Sequence, residues 1–279
     1  MIAFPHAKIN LGLTVLRKRP DGFHDIESVL VPIPLADVLE AIVDPMLPIG
    51  AMEFTSSGIT IPGSTDSNLC LRALRAIHAL RPLPGIRLHL HKVIPTGAGL
   101  GGGSSDGAHT LTLVNKLLDL ELDNDVLHQL AAALGSDCPF FLSDRPQLAE
   151  GRGERLSPIA LDLKGWWLLL VNPGVHVGTA EVYANTLANG TSVDLAEVLV
   201  NTSPDQWQHS VTNSMEHYVF KAYPAVKHLC DALMAQGAAY AAMTGSGSSV
   251  FGLFRDEPDL PVGWNEGRMR PWKFQFKLA

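Results

Sequence analysis

Hydrophobic and polar positions alternate in some stretches of this chain and recur at helical spacing in others. Ile9, Leu11, Leu13 and Val15 interleave with Asn10, Gly12 and Thr14, a period of two that predicts a strand. It runs into Arg17-Lys18-Arg19-Pro20-Asp21-Gly22, where Pro and Gly suit a turn. Residues 51–54 and 58–61 predict a hairpin around Ser56-Ser57. Leu69, Ala73, Ile77 and Leu80 predict one face of a helix that starts near Asp66 or Ser67. Ile86, Leu88 and Leu90 alternate with Arg87, His89 and His91, a second strand. Ala108, Leu111, Val114 and Leu118 return to helical spacing, as do Val126, Leu127, Leu130, Ala131 and Leu134, with Gly135 as a stop.

The polar, turn-rich run 144–158 predicts a domain boundary, with segments 1–152 and 153–279 on either side. Beyond it come a strand at 166–171, a helix near 178–188 and a helix after Pro224 that Gly237 ends. Two further strands, 238–243 and 250–254, flank the loop Thr244-Gly245-Ser246-Gly247-Ser248-Ser249. There is no fixed-period repeat, and the mixture predicts an α+β chain of two domains.

The run Pro95-Thr96-Gly97-Ala98-Gly99-Leu100-Gly101-Gly102-Gly103-Ser104-Ser105 stands directly before the second of these helical patterns. Gly97, Gly99 and Gly102 satisfy G-x-G-x-x-G, the dinucleotide pattern. That pattern needs a parallel βαβ unit and an acidic residue about 20 positions on. Asp119 and Glu121 are near that distance but follow the helix with no second parallel strand to carry them. Nor is the run a Walker loop, because no Gly-Lys-Ser/Thr closes it. What remains is a backbone stripped of side chains at a helix N-terminus, where N–H groups and the helix dipole favour an anion. Ser104 and Ser105 add hydroxyls for phosphate oxygens or a Mg²⁺ shell. The chain predicts a phosphate cradle here.

Composition narrows the setting. The 279 residues are 46% hydrophobic and 18% charged, which is globular. Lys+Arg number 21 against 28 Asp+Glu, a net charge of −7, which argues against a broad basic face for nucleic acid. Apolar runs such as 166–171 are far short of a membrane span of about 20 residues. The opening Met1-Ile2-Ala3-Phe4-Pro5-His6-Ala7-Lys8 lacks the ordered regions of a signal peptide. Cys70, Cys138 and Cys230 are odd in number and widely spaced, as expected of reduced core thiols in a cytoplasmic protein.

Lys8 and Asn10 are two apart on a strand and share a face. Lys8 reads either as a solvated lysine at a strand start or as a functional cation. Asp137, in Gly135-Ser136-Asp137-Cys138-Pro139-Phe140-Phe141, reads either as a turn cap or as a partly buried carboxylate needing a partner. Together they supply what phosphoryl transfer requires: a carboxylate for the attacking hydroxyl and a cation for phosphate charge. His89 and His91 have no third ligand nearby and predict a solvated strand face; Arg17-Lys18-Arg19 predicts a solvated run that could steer a polyanionic substrate. Trp166-Trp167 predicts packing in the second domain.

Ala7-Lys8-Ile9-Asn10-Leu11, Arg19-x-Asp21-Gly22-Phe23-His24, the 95–105 loop, Gly135-Ser136-Asp137-x-Pro139 and Gly245-Ser246-Gly247 occur in that order. The whole resembles a GHMP-superfamily kinase, and the first two motifs together narrow it to a member whose acceptor carries a cytidine diphosphate. The resemblance implies two domains, one like ribosomal protein S5 domain 2 and one ferredoxin-like. It implies ATP and Mg²⁺ as cofactors, and phosphorylation of the acceptor's 2-hydroxyl in the non-mevalonate isoprenoid pathway. It makes Lys8 and Asp137 the catalytic pair and residues 95–105 the ATP phosphate loop, with Asn68 and Lys92 near the nucleotide. It places Asn10, Thr179, Gly245 and Ser246 by the substrate. His24 would bond the cytosine, and Phe23 and Tyr183, from different domains, would sandwich it. Two departures stand out: Phe23 where the family commonly has tyrosine, and Asn213-Ser214 where it commonly has Asn-Asp. Other GHMP kinases, acting on mevalonate, homoserine or a sugar, and a nucleotide-binding regulator without catalysis are the rival readings.

Overall fold

The computed structural model describes residues 1–188, 194–259 and 272–278. The strands are β1 (Ile2–Ala3), β2 (His6–Lys18), β3 (His24–Ala36), β4 (Val38–Val43), β5 (Met52–Gly58), β6 (Ile86–Lys92), β7 (Gln147–Gly151), β8 (Arg155–Pro158), β9 (Trp167–Asn172), β10 (Tyr240–Met243), β11 (Val250–Phe254) and β12 (Trp272–Lys277). The helices are α1 (Leu69–Leu80), α2 (Gly102–Leu117), α3 (Asn124–Leu134), α4 (Thr179–Asn185), α5 (Leu195–Asn201), α6 (Glu216–Ala222) and α7 (Pro224–Ala235). The class is α+β, as the alternation of periods implies.

The chain forms two compact units and passes between them more than once. The first gathers Met1–Ala7, Pro34–Thr96 and Gly101–Asp144; the second gathers Lys8–Ile33, Gly97–Leu100 and the residues from Arg145 onward. The first unit holds the sheet β1-β4-β6-β5, with α1, α2 and α3 packed together. Helix α1 is capped by Asn68, whose side chain accepts from the Cys70 N–H, and buries Cys70, Leu71, Ala73, Leu74 and Ile77. Leu80, expected on that face, is 55% exposed because the helix ends there. The second unit holds the sheet β10-β11-β9-β12 and most of β2-β3-β7-β8. Its core joins Leu13, Val15 and Ile26 to Leu169, Val171, Val182, Val226 and Leu233.

One local expectation is corrected. Residues 51–61 are not a hairpin: β5 runs straight and pairs in parallel with β6. The polar residues that suggest a turn instead face outward. Ser57 Oγ lies 2.9 Å from both His89 Nε2 and His91 Nδ1, and Thr55 Oγ1 lies 2.8 Å from His89 Nδ1. Within the run 144–158 one unit gives way to the other between Asp144 and Arg145, and β7 and β8 form a hairpin that joins β3. The inward positions of β7 are Gln147, Ala149 and Gly151, so no apolar alternation marks it. Gly135 ends α3 as expected, with extended backbone (φ 174°). In the Arg17-Lys18-Arg19 run Arg17 and Lys18 are exposed, and Arg17 and Arg19 both pair with Asp25. All three cysteines are buried free thiols, with burial pushing Cys70 and Cys230 up to about 12 and Cys138 to about 11.

Candidate active site

Strand β2 carries Lys8 and Asn10 inward, 4% exposed each. A buried ammonium needs acceptors. Lys8 Nζ donates to Asn10 Oδ1 at 2.6 Å and to the Gly99 carbonyl at 2.8 Å. The Lys8 N–H donates to the Leu100 carbonyl, so the first half of the glycine loop is bound to this strand twice. Asn10 is fully engaged: Nδ2 donates to Ser28 Oγ at 2.8 Å, and Thr244 Oγ1 donates to Oδ1 at 3.2 Å. These bonds make Asn10 the post that orients Lys8. Gly99 has φ +77°, and a Cβ there would stand 2.1 Å from the Thr244 carbonyl oxygen. Only glycine fits where two backbones lie this close.

Thr244 opens the second glycine loop, which contains Gly245 and Ser246. Asn213 Nδ2 donates to the carbonyls of Met243 and Gly245 and so braces that loop from below. Ser214, where the family pattern has a carboxylate, uses its hydroxyl to donate to the Leu13 carbonyl and to accept the Val15 N–H, a bridge to β2. Ser246 Oγ lies 2.9 Å from Thr179 Oγ1 at the start of α4. One turn on, Tyr183 stacks on His24 with ring centroids 5.0 Å apart and planes 22° apart. Phe23 is 51% exposed, and the Arg152 guanidinium lies 4.7 Å from its ring centroid. The expectation that Phe23 and Tyr183 come from different domains is corrected. Residues 8–33 belong to the second unit, so both aromatic residues do.

The first unit holds the rest of the loop and Asp137. Gly101 caps α2 in the left-handed region (φ +70°). Gly102 to Ser104 open this 16-residue helix with N–H groups that lack intrahelical acceptors, and the Ser105 N–H is the first to bond back, to the Gly101 carbonyl. A Cβ on Gly103 would meet nothing within 4 Å, so the backbone is open at that point. Ser104 bonds the Cys138 thiol, and Cys138 follows Asp137, which stands at the head of the 3-10 turn Cys138–Leu142 without a capping bond. The turn packs against α2, the helix that carries Ser104 and Ser105.

Lys92 is 2% exposed, and its ammonium is shared by the carboxylates of Asp37 and Asp106. Asp37 also accepts the Val93 and Ile94 N–H groups, fixing the chain just before the loop. Burial pulls the Lys92 ammonium down, but the two carboxylates outweigh it and hold it above its ordinary range. Burial pushes the Asp106 carboxyl up to about 7 against the pull of Lys92. A Cβ on Gly102 would fall 2.9 Å from Lys92 Nζ, so the triad lies directly under the helix start. Sequence spacing gives no sign of Asp37, 55 residues from its partner. Thr244, Asp106 and Arg152 are likewise outside the sequence-derived site set.

A family model described as GHMP kinases N terminal domain matches residues 68–145, and one described as GHMP kinases C terminal matches residues 195–262. A 4-diphosphocytidyl-2-C-methyl-D-erythritol kinase of Cytophaga hutchinsonii is 45% identical over 260 residues, 93% of this chain and 94% of that protein. One of Parabacteroides distasonis is 42% identical, over 91% of this chain and 92% of its own. A crystal structure of 4-(cytidine 5'-diphospho)-2C-methyl-D-erythritol kinase superposes with a TM-score of 0.78 at 32% identity, covering 100% of each chain. With both halves of the kinase fold matched and near full-length relatives above 40% identity, the chain belongs to the GHMP kinases, in the 4-diphosphocytidyl-2-C-methyl-D-erythritol kinase family.

Proposed function

We propose that this protein uses ATP to phosphorylate the 2-hydroxyl of 4-diphosphocytidyl-2-C-methyl-D-erythritol, a step of the non-mevalonate isoprenoid pathway. The observation that carries the reading is the fixed Lys8 ammonium, oriented by Asn10 and bonded to the carbonyl of Gly99 within a glycine loop. It fits a cation held ready for phosphate charge, since preorganised charge costs no rearrangement at the moment of reaction. Asp137 takes the hydroxyl proton as the acceptor oxygen bonds to the γ-phosphorus. The bond from that phosphorus to the β-phosphate bridging oxygen breaks, and ADP leaves. The backbone of residues 95–105 cradles the phosphates, with Asn68 and Lys92 near the nucleotide; Lys92, buried and held by Asp37 and Asp106, would act there from beneath the loop and not by direct contact.

Thr179, Gly245 and Ser246 belong to the acceptor side, and His24, Phe23 and Tyr183 to its cytosine. Asn10 serves that side through Lys8 and Thr244. The chain divides, in this reading, into an N-terminal kinase segment 1–152 and a C-terminal one 153–279. Among the described residues no three His, Cys, Asp or Glu side chains gather as metal ligands. That donor set fits a Mg²⁺ that arrives on ATP, bound chiefly by phosphate oxygens and water. Mg²⁺ would neutralise phosphate charge there, with the Ser104 and Ser105 hydroxyls near its shell. Among the described residues no helix is long and apolar enough to cross a membrane; a cytoplasmic location is part of the proposal.

The test is Asp137→Asn, which keeps shape and removes the charge. Loss of a general base costs about 10²–10⁴-fold in rate. The expected result is a kcat lower by that factor with the KM for ATP little changed. A variant that keeps more than about a tenth of wild-type kcat removes Asp137 from the base role.

A further inference from the structure

Arg152 sits at the tip of the β7–β8 hairpin, between Gly151 (φ +68°) and Gly153 (φ +108°). Two hydrogen bonds and a strand pairing set that tip. The Gly153 N–H donates to the Glu150 carbonyl at 3.0 Å, closing the turn. The Arg152 N–H donates to Glu154 Oε2 at 2.6 Å. Pairing of Ile26 with Gly151 then lays the tip beside the start of β3. From there the side chain reaches Phe23, with the guanidinium carbon 4.7 Å from the ring centroid. The guanidinium enters no hydrogen bond or ion pair among the described residues. The nearby carboxylate of Asp21 is taken by Arg19. Arg152 sits close enough to Asp21 to act on it by charge, while the contact its guanidinium makes is with the ring, against which this built turn holds it.

We infer that Arg152 is a positioning residue for acceptor recognition: it covers one face of Phe23 and holds the ring as a platform on which the nucleobase stacks. A planar guanidinium suits this role because it stacks flat on a ring, which an ammonium does not. Phe23 needs such a support. It is 51% exposed, lies in the turn before β3 and has no phenolic hydroxyl to anchor it. Its neighbour His24 is already fixed by stacking on Tyr183. Arg152 thus does for Phe23 what Tyr183 does for His24. The inference rests on the reading that cytosine packs on Phe23.

The experiment measures binding of cytidine and of CDP to the full-length wild type, Arg152→Ala, Phe23→Ala and the double variant by calorimetry, with melting curves for each. The inference expects Arg152→Ala to weaken cytidine and CDP alike, by about three- to fivefold, with an unchanged melting temperature. In the Phe23→Ala background the same change should have no further effect. A loss for CDP but not for cytidine would make Arg152 a phosphate contact and overturn the inference, as would independent, additive losses. If Phe23→Ala weakens cytidine and Arg152→Ala changes it by less than about twofold, the platform role alone is wrong. If Phe23→Ala itself leaves cytidine binding unchanged, the base does not sit on Phe23 and both readings fall. Arg152→Gln, uncharged, replaces Arg152→Ala with the same expectation should the latter unfold.

Discussion

Replacing Gly103 by alanine separates what the glycine loop does for folding from what it does for ATP. Gly103 lies in the first turn of α2 with ordinary helical backbone, and an added Cβ would meet nothing within 4 Å. The folded protein therefore loses no contact and gains helix propensity, up to about 1 kcal/mol and less in a first turn. For a chain of this size that raises the melting temperature by about 1–2 °C. A phosphate approaching the N–H groups of this turn would meet the new methyl group. Pushing it back weakens charge-assisted hydrogen bonds, and a loss of about 1.4 kcal/mol is tenfold in affinity. Gly103→Ala should thus raise the KM for ATP about tenfold or more while the protein melts slightly higher. Gly99→Ala is the contrast. Its Cβ would stand 2.1 Å from the Thr244 carbonyl oxygen at a φ of +77°, so stability and activity should fall together. The assay is steady-state kinetics at varied ATP, with melting curves run with and without nucleotide. A Gly103→Ala variant that melts higher and keeps its KM for ATP within about twofold of wild type would show that phosphates do not approach this turn.

Burial raises the Glu216 carboxyl from 4.5 to about 7, while one of its oxygens accepts the Met243 N–H. The folded chain then holds a proton that the unfolded chain has released between those values, so stability falls as pH rises through that window. Glu216→Gln keeps the acceptor and removes the penalty. It should add on the order of 1–3 kcal/mol at pH 8 and almost nothing near pH 4.5, read from melting curves across pH. An equal gain at both pH values would contradict this cause. Glu181 accepts from Tyr218 at 2.6 Å and from Tyr223 at 3.1 Å, tethering the helix that carries Thr179 and Tyr183. Tyr218→Phe should raise the KM for the acceptor by about threefold and leave that for ATP alone; equal changes in both would show a general loosening.

Local pattern makes β2, β6, α1, α2 and α3 legible, because each buries one regular face. It also marks the glycine loop, since five glycines before a helical period have few other uses. It fails where the inward residues are not apolar. Strand β7 buries Gln147, Ala149 and Gly151, and β5 presents Thr55 and Ser57 to two histidines, so both resemble turns on paper. It fails again where a partner is distant. Asp37 meets Lys92 across 55 positions, and Arg152 meets Phe23 only because β7 pairs with β3. The membership of residues 8–33 in the second unit has the same origin, and it is why Phe23 and Tyr183 share that unit. Lys8 shows both sides: its strand and facing are legible, while its bond to the Gly99 carbonyl depends on a loop 91 positions away.

The central claim is the acceptor, and one measurement addresses it directly. ADP release is followed in a coupled assay with 4-diphosphocytidyl-2-C-methyl-D-erythritol and, in parallel, with mevalonate, homoserine and galactose at the same concentration. The expected result is rapid, ATP-dependent ADP release with the cytidylylated acceptor and background rates with the other three, which carry no cytosine for His24, Phe23 and Tyr183 to hold. ADP release as fast with mevalonate, homoserine or galactose, or none with the cytidylylated acceptor, would contradict it.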